Sequence, residues 1–183
     1  MKQKFFSRWF AIGMIAAALV MTGCSKDDKN DEPKLNNAVR IDGETKPIVK
    51  AKINKSELVD NNYEMHIYLS EKEGFEIHVA KQHHEGQTIY LTKKEPERDG
   101  WYWSVGYYKP EEIIFGTYAE PGASDPVFQS GTLYIKRLDD ADGQPVFEIE
   151  LKNGKVKGEE EYGDGEEHTI RLYYAGKLEL GKF

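Results

Sequence analysis

Two histidines in consecutive segments of the chain carry side chains that could bind a metal ion. His66 and His78 lie in runs where apolar and polar residues alternate, the pattern of strands with one face toward solvent. If Ser70 pairs with Gly74 in a short hairpin, His66 lies opposite His78 on the polar face, and Glu76 shares that face. Zinc requires three or four protein ligands, so the two histidines predict half of a metal site. An ordinary solvated face is the competing interpretation.

A group of aromatic residues is the strongest candidate for ligand binding. Trp101, Trp103, Tyr107 and Tyr108 lie close together in the sequence. On a strand, Trp101 and Trp103 would share one face and Tyr102 would lie on the other. Exposed aromatic rings can stack on sugar rings, so the group predicts binding of carbohydrate or another small ligand. The alternative is that both tryptophans fill the core.

Signatures of catalysis are scarce in this sequence. It contains no Gly-x-Ser-x-Gly elbow, no His-Glu-x-x-His motif, no phosphate-binding loop and no dinucleotide fingerprint. We therefore predict a non-catalytic protein without a cofactor. A hydrolase that uses two carboxylates, or a haem-binding protein that uses two histidines, is the lesser alternative.

The one cysteine of the chain, Cys24, ends a stretch typical of a secretory leader. Basic residues near the N-terminus precede an uncharged apolar run from Phe10 to Val20, and small residues approach the cysteine. The apolar run is shorter than the roughly 20 residues that a helix needs to cross a bilayer. The sequence predicts a signal peptide over residues 1–23, a lipidated cysteine and flexible tether over residues 24–36, and a β domain over residues 37–183.

The four residues Met21-Thr22-Gly23-Cys24 resemble the lipobox of bacterial lipoproteins. This resemblance implies cleavage before Cys24, attachment of diacylglycerol to its sulfur, and a lipid anchor in the outer membrane. The residues Lys26-Asp27-Asp28 resemble the lysine-plus-two-acids signal that sends Bacteroidetes lipoproteins to the cell surface. A purely solvated tether is the alternative interpretation of this charged stretch.

The exported part is acidic and has no thiol chemistry to use. Removing the 23-residue leader leaves 160 of the 183 residues and takes away three basic residues and no acid. The formal net charge of −7 for the whole chain therefore becomes −10. Such a chain is repelled by phosphate backbones, so nucleic acid is excluded as a partner. With Cys24 lipidated, no cysteine remains for disulfide bonds.

Short alternating runs separated by Gly, Pro, Asn and Asp predict an all-β domain of about ten antiparallel strands, either a sandwich or a barrel-like closed sheet. Two turns are predicted at Asp42-Gly43 and Asn153-Gly154, and a large loop is predicted at residues 116–130. The predicted strands are Ala38 to Ile41, Ile48 to Ile53, Tyr63 to Leu69, Phe75 to Val79, Gln87 to Thr92, Trp101 to Tyr108, Gly131 to Leu138, Val146 to Leu151, Val156 to Glu160, Thr169 to Ala175 and Lys177 to Leu180.

Four stretches of the β domain are similar to those of small uncharacterised Bacteroidetes surface lipoproteins: Asn37 to Gly43, Ser130 to Tyr134, Phe147 to Leu151 and Ile170 to Leu178. The resemblance implies one β-rich domain, often linked to glycan or haem uptake, and supplies no catalytic residue. We therefore expect a surface lipoprotein that binds a carbohydrate or small ligand. A structural lipoprotein that binds an envelope protein is the alternative.

Overall fold

The computed structural model describes residues 34 to 182 except residues 160 and 162. The predicted signal peptide, Cys24 and the tether up to Pro33 lie outside the described residues. The described chain forms strands β1 (Ala38–Ile41), β2 (Glu44–Pro47), β3 (Lys50–Asn54), β4 (Asn62–Tyr68), β5 (Gly74–Ala80), β6 (Thr88–Tyr90), β7 (Ser104–Lys109), β8 (Glu112–Tyr118), β9 (Ser130–Arg137), β10 (Val146–Lys157), β11 (Glu167–Lys177) and β12 (Glu179–Gly181), with short helices α1 (Lys55–Val59) and α2 (Lys81–His84). The predicted all-β class is confirmed.

The strands form two six-stranded sheets that share one core. Sheet A has the order β2-β1-β11-β10-β9-β6, and sheet B has the order β12-β3-β4-β5-β7-β8. Strands pair antiparallel except β12, which runs parallel to β3. Tyr63 of sheet B meets Phe147 of sheet A edge to face, with ring centroids 4.9 Å apart. Because alternate residues of both sheets fill this layer, the domain is a sandwich of two open sheets.

The two predicted turns behave differently in the structure. Asp42 and Gly43 both have positive φ and close a two-residue hairpin between β1 and β2, as predicted. Asn153-Gly154, in contrast, is a bulge inside the continuous strand β10. Strands β9 and β11 pair with β10 on both sides of this point, so the chain passes through it instead of reversing. The predicted turn at Asn153-Gly154 is therefore wrong.

Strand β8 replaces part of the predicted loop at residues 116–130. Three residues of that stretch, Gly116 to Tyr118, belong to β8, and the irregular segment begins at Ala119. Ile114 and Phe115 are buried in the core, and β8 pairs with β7 along its length. Ile113, Ile114 and Phe115 form a continuous apolar run within this strand. The run has no alternation, so the sequence pattern did not predict the strand.

The β4–β5 hairpin has a register two residues away from the predicted one. Tyr68 pairs with Gly74, so His66 lies opposite Glu76 and not opposite His78. The hairpin loop is longer than predicted, because Leu69 and Ser70 both donate backbone hydrogen bonds to the Glu73 carbonyl. A shift of two residues leaves every side chain on its predicted face, so the hydrophobic pattern could not reveal it.

None of the helices in the described part of the chain has both the length and the apolar sequence needed to traverse a bilayer.

Candidate ligand-binding face

One side of sheet B displays polar and aromatic side chains away from the core. We call it the outer face. It comprises the half-buried residues Glu64, His66 and Tyr68 of β4, Glu76 and His78 of β5, Ser104 and Tyr108 of β7, and Gly116 and Tyr118 of β8. The alternation of these strands keeps their other side chains in the core. Both predicted metal ligands therefore lie on the same face as Tyr108.

The four predicted aromatic contacts divide into two groups. Trp103 and Tyr107 are each 1 % exposed and lie in the core between the sheets. Trp101 and Tyr108 are half-buried and reach the outer face. Tyr107 and Tyr108 differ because side chains alternate along β7. The predicted shared face of Trp101 and Trp103 is wrong, because β7 begins at Ser104 and both tryptophans precede it. Of the four predicted aromatic residues, Trp101 and Tyr108 are therefore the two that can contact a ligand on the outer face.

Trp101 forms one wall of a groove of about 360 Å³ on the outer face. The ring of Trp101 lies 5.3 Å from that of His78, centroid to centroid. Tyr118 lines the groove as well, together with Ser104 and Gly116 of the paired strands β7 and β8. Gly116 contributes no side chain, so the groove remains open between the rings. An open groove with aromatic and hydroxyl groups can hold a small polar ligand.

Two residues with ionisable side chains, Asp125 and His78, are among those that line this groove. Asp125 follows β8 in the irregular segment. Lys94 holds that segment in place, because its ammonium donates hydrogen bonds of 2.7 Å to the carbonyls of Tyr118 and Asp125. The groove therefore combines stacking surfaces with hydrogen-bonding groups.

Tyr108 lies further along the outer face, opposite Gly74 of β5. Burial, together with the neighbouring Tyr68 and the charge of Glu76, raises the pKa of Tyr108 to about 12. The hydroxyl is therefore neutral and able to donate a hydrogen bond at physiological pH. A Cβ on Gly74 would lie 3.0 Å from this hydroxyl and 2.5 Å from the Ile67 carbonyl, so glycine is required beside Tyr108.

The two histidines belong to a block of four side chains on the outer face. Strands β4 and β5 each carry a glutamate and a histidine separated by one residue, and they pair so that His66 faces Glu76 and Glu64 faces His78. His78 Nε2 lies 2.7 Å from Glu76 Oε1, and His66 Nε2 lies 3.6 Å from Glu64 Oε1. We call these four residues the Glu/His block. The histidines occupy one diagonal of the block and the glutamates occupy the other.

The environment of the Glu/His block favours a charged carboxylate at Glu76 and a neutral imidazole at His66. A hydrogen bond from His78 lowers the pKa of Glu76, and this outweighs the opposing effect of burial. Burial lowers the pKa of His66, although the charges of Glu76 and Glu64 act in the other direction. The Nε2 atoms of both histidines are shielded from solvent. The block is thus a partly desolvated group of nitrogen and oxygen donors.

A third histidine, His84, is buried for structural reasons that the sequence did not indicate. It ends helix α2 and is 2 % exposed. Its Nδ1 accepts a hydrogen bond from the Ala80 amide, so the proton is on Nε2, which lies 2.8 Å from Glu95 Oε1. Glu95 Oε2 accepts hydrogen bonds from Arg98 and from the amide of Trp103. These contacts fasten α2 to the segment that precedes β7.

A fourth histidine, His168, bridges two carboxylates at the start of β11. Its Nδ1 lies 2.8 Å from Asp42 Oδ2, and its Nε2 lies 3.1 Å from both oxygens of Asp164. Burial alone would lower the pKa of His168, but the hydrogen bonds and negative charges of the two aspartates outweigh it and raise the pKa. Below this raised pKa both ring nitrogens carry protons and donate to the two aspartates, so His168 links the β1–β2 turn to the segment before β11.

This bridge predicts a stability that falls as the pH rises. A histidine whose pKa is raised on folding stabilises the protein fully below its unfolded-state pKa of about 6.5, and this contribution is lost as the pH rises through the folded-state pKa. We expect the free energy of unfolding of the wild type to decline as the pH rises above about 6.5, and that of His168→Gln to decline less.

Urea unfolding of the two proteins at several pH values measures this difference. Asp42 also has a lowered pKa, held down by its contacts with His168 and Thr169 against the effect of burial. The contribution of Asp42 to the free energy of unfolding is lost only below about pH 4, which lies outside the tested pH range. Identical slopes for the wild type and His168→Gln above about pH 6.5 would contradict the prediction.

The outer face carries an open groove lined by aromatic rings, hydroxyl groups and His78, and beside His78 it carries the rest of the Glu/His block. These are the elements of a surface that binds a polar ligand. Comparison with known proteins finds no matching family model, no matching curated protein and no matching solved structure.

Proposed function

We propose that this protein is an outer-membrane lipoprotein, anchored through Cys24 and displayed at the cell surface, whose β domain binds a carbohydrate or another small polar ligand without chemical conversion. The groove beside Trp101 is the observation that carries the binding role. The lipobox-like residues at positions 21–24 support the anchor, and the charged stretch after them supports surface display.

The groove has the chemistry that sugar recognition requires. One side of a sugar ring presents C–H groups, which pack against flat aromatic surfaces such as Trp101 and Tyr118. The hydroxyl groups at the sugar's rim require donors and acceptors, which the Ser104 hydroxyl and the Asp125 carboxylate provide. Stacking supplies most of the affinity, and the polar groups orient the ring.

The shape of the groove fits a weak, accessible binding site. It is open to solvent and about 360 Å³ in volume, near the lower end of ligand-binding cavities. A short glycan segment can enter such a groove from the side without a conformational change. Anchoring many copies on one membrane compensates for weak single-site affinity, because a glycan with several binding segments engages several copies at once.

Replacing Trp101 with alanine tests the proposed function. We expect the wild-type protein to bind a subset of a glycan array, and Trp101→Ala to bind those glycans at least about tenfold more weakly, a loss of about 1.4 kcal/mol. The loss follows from removal of the stacking surface. Calorimetric titration with the best glycan of the array measures it.

Tyr90→Ala is the matched control. Tyr90 is also an exposed aromatic residue, at 67 %, but it lies on β6 of sheet A and does not line the groove beside Trp101. We expect Tyr90→Ala to bind glycans as the wild type does. An array without any hit would overturn the carbohydrate proposal, and equal affinity of Trp101→Ala and wild type would remove the groove as the binding site.

A further inference from the structure

We infer that the Glu/His block on the outer face is a binding site for a divalent transition-metal ion, with zinc as the best-fitting ion. Glu64, Glu76 and His78 each offer a ligand atom, and these atoms lie within 4.8 Å of one another. The site shares His78 with the groove beside Trp101, but it binds its ligand through charged and imidazole donors instead of aromatic stacking.

The strand pairing brings three of the four donors, Glu64, Glu76 and His78, close together, and His66 lies at the fourth corner of the block. His66 lies opposite Glu76 and Glu64 lies opposite His78, so all four side chains rise from neighbouring positions of one face. Directly opposed residues of an antiparallel pair have Cβ atoms about 5 Å apart. Side chains of this length can therefore converge on an ion above the sheet without any change in the backbone.

The donor set selects the class of ion. One imidazole nitrogen, from His78, and two carboxylate oxygens, from Glu64 and Glu76, suit zinc and related divalent ions, which accept mixed nitrogen and oxygen ligands; three protein ligands leave the fourth position of a tetrahedral site open. Calcium and magnesium prefer sites made of oxygen alone, so the histidine disfavours them. Two carboxylate charges also match the charge of one divalent ion.

Neighbouring residues hold the donors in position. Asn54 donates a hydrogen bond of 2.7 Å to Glu64 Oε2, which leaves Oε1 directed toward His66. The Trp101 ring lies against His78 and limits the rotation of its imidazole. Such contacts orient metal ligands and raise the affinity of a site.

One cation lies beside the block but does not occupy it. Lys52 pairs with His66 across β3 and β4, yet its ammonium lies over the ring of Tyr68, 5.8 Å from the ring centroid. The carboxylates of Glu64 and Glu76 instead contact the histidines of their own strands. A bound metal ion would replace these imidazole–carboxylate contacts with stronger coordinate bonds.

Zinc titration of the full-length protein, without a histidine tag and after removal of metal by a chelator, tests the inference. We expect one zinc ion per chain, no competition from calcium, and a higher midpoint of thermal unfolding when zinc is present. His78→Ala and Glu76→Gln should each weaken zinc binding by at least about tenfold. Glu76→Gln preserves the size of the side chain, so its effect does not depend on repacking.

His83→Ala is the control for non-specific binding by surface histidines. His83 is exposed on α2 and its Nε2 contacts only the neighbouring side chain of Gln82 among the described hydrogen bonds. This variant should bind zinc as the wild type does. The inference is overturned if the wild type binds no zinc, or if His78→Ala and Glu76→Gln, shown to be folded by circular dichroism, retain wild-type affinity.

Discussion

Replacing Trp103 with alanine is expected to lower the free energy of unfolding by about 3–5 kcal/mol. Trp103 is 1 % exposed and is the largest of the fully buried side chains of the described chain. Replacing it removes the favourable free energy of burying the indole ring. It also leaves a cavity that the two sheets cannot close without moving. Since domains of this kind are stable by about 5–15 kcal/mol, the loss is a large part of the total. Urea unfolding monitored by circular dichroism measures it.

Trp101→Ala is the matched control for this prediction. The two residues have the same side chain and are separated by one residue, but Trp101 is half-buried at the groove and borders solvent. We expect Trp101→Ala to cost less than about half as much as Trp103→Ala, because solvent fills the space that it leaves. Equal losses for the two variants would contradict the assignment of Trp103 to the core and Trp101 to the outer face.

The alternation of apolar residues predicted the faces of the strands but not their pairing. Met65 and Ile77 are buried, as their alternation with His66 and His78 requires. Side chains repeat every two residues along a strand, so any shift by two residues satisfies the same pattern. The length of the loop after Tyr68 decides between these registers, and the loop depends on backbone hydrogen bonds to Glu73 that no single residue type specifies.

Tertiary context overruled the local turn signal at Asn153-Gly154. Asn153 adopts positive φ, which is the conformation expected of a tight turn, yet the chain continues because β10 has a partner on each side. A Cβ on Gly154 would lie 2.6 Å from the Leu151 side chain and 3.0 Å from the Ile170 carbonyl. Glycine is therefore required at this position because the neighbouring atoms leave no room for a side chain. The same dipeptide can thus form a turn or a bulge, and only the neighbouring strands determine which forms.

The candidate site was predictable in its residue types and unpredictable in its arrangement. The sequence indicated His66, His78 and Trp101, and all three lie on the outer face. It did not indicate Tyr118 or Asp125, because they follow the unrecognised strand β8. A pattern along the chain cannot show which residues of separate strands meet, so the groove emerges only from the pairing of β7 with β8.

Replacing Cys24 with alanine is expected to abolish lipid attachment completely, because the chain has no other cysteine to carry a thioether-linked lipid. Each buried methylene of an acyl chain contributes about 0.8 kcal/mol to membrane binding, so the several chains of a lipoprotein anchor hold it firmly. The residues after position 23 carry a formal net charge of −10, so they have no electrostatic attraction of their own for an anionic surface. Metabolic labelling with a palmitate analogue and the mass of the purified protein measure the attachment.

Ser25→Ala is the matched control for Cys24→Ala, because it changes the next residue and leaves the sulfur in place. We expect the wild type and Ser25→Ala to incorporate the label and to resist extraction from the membrane fraction by high salt, which disrupts electrostatic but not acyl-chain contacts. Cys24→Ala should incorporate no label. Label on Cys24→Ala would place the lipid elsewhere in the chain. An unlabelled wild type would contradict the proposal that this protein is a lipoprotein. It would also remove the basis for the surface location from which the domain is proposed to bind its ligand.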